Sequence, residues 1–120
     1  MSGVTLWFDP EGRVSKVGLQ GAAGALYSGP LSTLGPNWIP SDQSLVFGLT
    51  AHSSDRDFAR ALGAPVSEIE GGSSSRREVR RVWRKSSYLL DATFLGSDRS
   101  DSGKTFQNGT LLWVEVSRGV

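Results

Sequence analysis

The chain has 120 residues, 13 Lys or Arg against 12 Asp or Glu, a net charge of +1 and 38% apolar residues. That is the size of a single domain able to bury roughly two-thirds of the surface its unfolded form exposes, and it is too apolar for a disordered chain. The absence of Cys excludes disulfides, thiolate metal sites and thiol nucleophiles together, and the near-neutral total lacks the strong electrostatic footprint of dedicated nucleic-acid proteins.

The first stretch, MSGVTLWFDPEGR, has neither the basic region nor the apolar run of a signal peptide, and no segment approaches ~18 consecutive apolar residues. A cytoplasmic chain with no membrane association is expected. Residues 1–19 read as a β-hairpin: VTLWF and RVSKVGL are rich in β-branched and aromatic residues, and DPEG between them places Pro and Gly where a turn uses them. By alternation, Val4, Leu6 and Phe8 are expected to face a core while Trp7 covers the other side. Residues 20–52 read as a long packed loop. Pro30, Pro36 and Pro40 with interspersed Gly exclude a long helix or central strand, whereas Leu26, Tyr27, Leu31, Leu34, Trp38 and Ile39 are too apolar for a free linker. LVFGL at 45–49 is a candidate short strand.

The helix is predicted over residues 53–63, SSDRDFARALG. Ser54 and Asp57 make a capping box with Asp in the Glu place, Asp55 and Asp57 suit the positive N-terminal dipole, and Gly63 with Pro65 ends the helix. Phe58, Ala61 and Leu62 share one face over only two turns, so packing on a sheet must hold it. VSEIEGGSSS reads as a connector. A β-meander is then predicted over 76–118, from REVRRVWRK, SYLLDATFL and TLLWVEVS. The first of these also carries a helical signal, in Ser75 with Glu78 and in the spacing of Val79, Val82 and Trp83, but the short KSS turn favours a strand. The fold class is α+β: one antiparallel sheet from the N-terminal hairpin and the C-terminal three-stranded meander, with one short helix packed on it.

Three motifs bear on chemistry. GSDRSDSGKTFQNG contains Gly-Lys-Thr, but the position where a phosphate-binding loop needs its first Gly is Asp98, whose charge repels phosphate, and strands flank it on both sides. As a calcium loop, Asp98, Ser100, Ser102 and Gly103 occupy the first, third, fifth and sixth places, yet the twelfth, which must supply a bidentate Glu, is Gly109. The expectation is a solvated hairpin connection that Asn108-Gly109 turns into the last strand. His52 is the sole histidine. A general base is conceivable there, but no G-x-S-x-G and no metal-ligand spacing accompany it, so no catalytic residue, cofactor or metal is assigned.

RREVRRVWRK puts six cations into ten residues, and residues 76–120 carry 9 basic and 5 acidic groups against 4 and 7 in residues 1–75. As a strand, Arg80 and Arg84 share a face with Val82, while Arg77, Arg81 and Lys85 flank Val79 and Trp83. The readings are a charged edge strand that blocks unwanted pairing, a surface for an acidic protein, or a nucleic-acid surface with Trp83 stacking on a base. Candidate partner-binding residues are Trp38, Tyr27, Arg80, Arg81, Arg84, Asp98 and Asp101.

The order helix, ALGAP, connector, VW, then YLLDATF and GTLLWVEV over residues 53–118 resembles BamE/SmpA-like lipoprotein domains and several immunity proteins of polymorphic toxin systems. Leu62, Gly63, Pro65, Trp83, Phe94 and Gly109 carry the likeness. With neither a signal sequence nor a lipidatable Cys in the sequence, the expectation follows the immunity proteins. The resemblance implies a cytosolic bacterial domain that blocks a toxin by surface binding and has no catalytic residues. The expected function is therefore a noncatalytic protein-binding domain, with a homodimer through a sheet edge as a further possibility. The rivals are a small-ligand binder or enzyme with a pocket under the 20–44 loop, and a nucleic-acid module built on 76–85.

Overall fold

The computed structural model describes residues 4–23, 47–50, 52–72, 77–101 and 103–118. Strands β1 (Val4–Phe8) and β2 (Val14–Gln20) form the predicted hairpin. Asp9 organises its turn: its carboxylate accepts the backbone N–H groups of Glu11 at 3.0 Å and Arg13 at 2.9 Å, and Gly12 takes φ 84°, which costs a residue without Cβ nothing. Helix α1 spans Asp55–Leu62. β3 (Ser67–Gly71), β4 (Glu78–Lys85) and β5 (Tyr88–Leu95) follow, then the short pair β6 (Arg99–Asp101) and β7 (Lys104–Phe106), and finally β8 (Leu111–Arg118).

Six strands make one antiparallel sheet in the order β1-β2-β8-β5-β4-β3. The meander β4-β5-β8 is as predicted and lies in one sheet with the hairpin, and the structure supplies their junction, the pairing of β2 with β8. Three features differ. β6 and β7 form a second, two-stranded sheet, so the single-sheet description is incomplete. This pairing arises inside the loop from β5 to β8, because Gly103 at φ 81° turns the chain back on itself. The stretch read as a connector contains β3, which pairs with β4 from Ser67↔Val82 to Gly71↔Glu78. All five β3 residues are exposed, so burial leaves no apolar alternation there to read. The candidate strand at 45–49 falls partly outside the described residues, and its described part is a turn at Phe47 and Gly48.

The core lies on one face of the sheet, under α1. Phe58, the buried residue of the helix, meets Trp83 at 5.6 Å and Phe94 at 5.1 Å between ring centroids, above Leu90, Ala92, Val114 and Val116. Both helix ends are fastened. Ser54 N–H donates to the Asp57 carboxylate at 2.8 Å while Asp57 N–H donates to Ser54 Oγ at 3.4 Å, completing the capping box. That backbone hydrogen bond from Ser54 is the main reason the Asp57 carboxyl is held below its ordinary range. At the other end the Trp83 indole N–H donates to Gly63 O at 3.0 Å and Lys85 Nζ donates to Ala61 O at 2.5 Å, supplying donors to carbonyls that a helix terminus leaves unpaired.

The hairpin's expected phase holds, with Leu6 in the same row as core residue Val116, but its expected burial is corrected. Leu6 is 48% and Phe8 60% exposed, with Val14 beside Phe8 at 48%. β1 is an edge strand at the opposite end of the sheet order from β3 and β4, and α1 packs over the sheet's interior strands. Alternation sets the phase of a strand but not whether anything covers it. Among the described residues no helix is long and apolar enough to cross a membrane.

Candidate functional site

Residues that alternate with the core positions stand on the face of the sheet opposite α1. Across it run two rows in register: Gly18, Glu115, Asp91 and Val82 in one, and Gln20, Trp113, Thr93 and Arg80 in the other. One end of this face carries a small satellite core of Ala23, Leu95 and Leu112 with Phe106 of β7 packed against it. The remainder holds two indoles and a set of paired charges.

Gly18 makes this arrangement possible. A Cβ there would lie 2.8 Å from Trp113 Cη2 and 2.9 Å from Trp7 Cζ3, so the six-membered rings of both indoles come down onto bare backbone. Glycine within a strand commonly marks such a close approach. Trp113 is thereby buried, and its Nε1–H donates to Glu115 Oε1 at 3.2 Å. Lys16 Nζ bridges the cluster, 4.5 Å above the Trp7 ring and 3.4 Å from Glu115 Oε2. Towards β4, Arg80 grips Asp91 through the Nε and Nη2 edge of its guanidinium, at 2.8 and 2.5 Å. Arg80, Asp91, Thr93, Trp113 and Glu115 line a hollow of about 210 Å³.

The charges are layered by height. Arg80 rises outward at 55% side-chain exposure over Asp91 at 22%, whereas Lys16 at 34% and Glu115 at 28% stand nearly level. Arg84, on the same face, is also exposed. The outermost layer is therefore positive although each recessed acid has a basic neighbour.

The structure disperses the residues singled out in the sequence. Arg80 and Arg84 share the open face, as alternation required. Arg81 lies on the helix side, where it joins the Asp55 carboxylate and reaches Glu68 at 3.2 Å, tying α1, β3 and β4 together. Burial opposes its charge, but the bonds from Asp55 and Glu68 outweigh that and raise its pKa further above the guanidinium value. Arg77 pairs with Glu70 at 3.5 Å. Asp98 accepts the Asn108 backbone N–H at 2.7 Å and closes the base of the β6–β7 hairpin, and Asp101 ends β6 in register with Lys104. Trp38 and Tyr27 lie outside the described residues. The Gly-Lys-Thr triplet forms the turn and first residues of β7, with Asn108 and Gly109 turning the chain into β8 as expected. His52 is exposed. Among the described residues no group of three His, Asp or Glu is placed to hold a metal ion.

The Trp7, Gly18 and Trp113 cluster was missed. Its signal was available in the phase of the strands, because Trp7 and Trp113 both stand out of step with the apolar core positions and Gly18 interrupts a strand. Only the pairing of β2 with β8, though, brings the three together. Comparison with the models of known protein families, with curated proteins and with solved structures finds no match for this chain.

Proposed function

We propose that this chain is a noncatalytic protein-binding domain whose open sheet face, bearing Lys16, Arg80 and Arg84 around the Trp7 and Trp113 indoles, docks on an acidic protein surface. The observation that carries this reading is the layering: Arg80 and Arg84 outermost, with Asp91 recessed beneath Arg80. A partner carboxylate meets Arg80 or Arg84 before it meets Asp91, which favours encounter and orientation with acidic surfaces. Aromatic and Arg side chains are the types that anchor protein interfaces. An immunity or accessory role in a bacterial cytoplasm, against a toxin or comparable partner, is the narrower form that the helix-plus-meander order over 53–118 supports.

Two observations weigh against the rivals. Among the described residues the hollows on the open face and beside α1, about 210, 240 and 280 Å³, fall below the usual size of small-molecule sites and His52 lines none of them, while the 20–44 loop itself lies largely outside the described residues. Among the described residues the basic run is divided between the two faces, Arg80 and Arg84 on one and Arg81 and Lys85 on the other, so it offers no continuous phosphate track.

The test compares the immobilised wild-type chain with Arg80→Glu/Arg84→Glu in extract of the native host, with captured proteins identified by mass spectrometry. The expected result is an acidic protein retained by the wild type at low salt and lost at least tenfold on charge reversal, with circular dichroism showing both folded. Equal capture by the two, or capture of nucleic acid in place of protein, overturns the proposal.

A further inference from the structure

The two ends of the sheet are chemically unlike, and the difference bears on which of them a second copy of the chain can join. β3 carries Glu68 and Glu70 on one side of a fully exposed strand. An antiparallel two-fold pairing centred on Ile69 sets Glu68 of one copy opposite Glu70 of the other, twice, which like-charge repulsion opposes. Their partners Arg81 and Arg77 stand on or beside the neighbouring strand, on the inner side of that edge. Charged residues on an edge are a standard defence against strand pairing.

β1 has no such defence. Its sequence, VTLWF, contains no ionisable residue and no Pro. The irregularity between Trp7 and Phe8 places the extra residue, Ser15, on β2, and Ser15 Oγ donates inward to Trp7 O at 3.2 Å, so the outer line of β1 is unbroken. On one face Leu6, Phe8 and Val14 form an exposed apolar stripe. We infer that two copies of the chain pair through β1, antiparallel about a two-fold axis at Leu6, so that the two six-stranded sheets continue as one.

The register follows from symmetry. Leu6 meets Leu6 of the other copy, and Thr5 of each lies opposite Trp7 of the other, with no charge facing a like charge. An isologous contact of this kind closes on itself and stops at two copies. The apolar stripes become adjacent, and the outer backbone groups of β1, which no described strand pairs, hydrogen-bond across the two-fold axis. This contact is distinct from the acidic-partner surface, since it uses the strand edge and not the Lys16, Arg80 and Arg84 layer, so either can fail alone.

The chain contains no Cys, which permits a clean test of both edge and register. Residues opposite each other on antiparallel strands sit about 4.5–5.5 Å apart at Cα, within disulfide range. Leu6→Cys is expected to cross-link to a dimer under mild oxidation at least tenfold faster than Thr5→Cys or Ile69→Cys. Sedimentation of the wild type is expected to give twice the 12.9 kDa chain mass, and Leu6→Lys, folded by circular dichroism, the single mass, while Ile69→Lys remains dimeric. A wild type of monomer mass at all concentrations, a dimer that survives Leu6→Lys, or cross-linking that favours position 5 or 69 overturns the inference.

Discussion

Replacing Gly18 with Ala tests the packing on which the open face depends. The new Cβ would fall hardest against Trp113 Cζ2, with Trp113 Cη2 at 2.8 Å and Trp7 Cζ3 at 2.9 Å, where carbon atoms prefer about 3.5–4.0 Å. Trp7 must retreat by the better part of an ångström and Trp113 by more, and Trp113 is buried and hydrogen-bonded to Glu115, so it has little room to do so. Overpacking of this kind costs about 1–3 kcal/mol. Against it stands a gain of about 0.4–1 kcal/mol from the narrower unfolded ensemble of Ala, leaving a net loss of about 1–2 kcal/mol. With a urea m-value of about 2 kcal/mol/M, the middle of the usual range, the unfolding midpoint should fall by roughly 0.5–1 M. Gly71→Ala is the matched control: it lies in a strand, a Cβ there meets nothing within 4 Å, and its φ is not positive. That substitution should be neutral or stabilise by up to about 1 kcal/mol. Urea unfolding followed by tryptophan fluorescence separates the two. If Gly18→Ala proves as stable as Gly71→Ala, the two indoles do not rest on the Gly18 backbone and the described face is wrong.

Three other predictions address how α1 is held. Ser54→Ala should cost about 1 kcal/mol in urea unfolding, because it removes the acceptor for the Asp57 backbone N–H at the helix start. The Asp57 carboxyl is depressed in the folded state, so its share of stability is complete above its unfolded value near pH 4 and is lost as pH falls through the lower folded value. Melting temperatures of wild type and Asp57→Asn should therefore differ at pH 6 and converge at the acid end of a titration. Arg81→Met should cost about 1–2 kcal/mol, less than a fully buried ion pair because Asp55 and Glu68 retain some water, and hydrogen exchange should show α1 and β3 loosening together.

Elements whose signals are local were legible from residue order alone. Ser54 and Asp57 announce a helix start because the capping box closes within four residues. Asn108-Gly109 announces a turn for a similar reason, and the alternation in β5 and β8 reflects the two-residue period of any strand half-buried in a sheet. The division of the basic run, with Arg80 and Arg84 on one face and Arg81 on the other, followed from that same period.

What lay beyond the sequence depended on which distant segments meet. Leu6 and Phe8 have the alternation of buried residues, yet β1 lies at an edge and they are exposed. β3 has no apolar period, because an edge strand exposed on every residue is held by backbone hydrogen bonds that any sequence can make. Trp7, Gly18 and Trp113 form one cluster only because β2 pairs with both β1 and β8, joining residues nearly a hundred positions apart. Helix caps, turns and strand phase are set by neighbours along the chain, whereas burial and ion pairing are set by neighbours in space, and strand order decides the second.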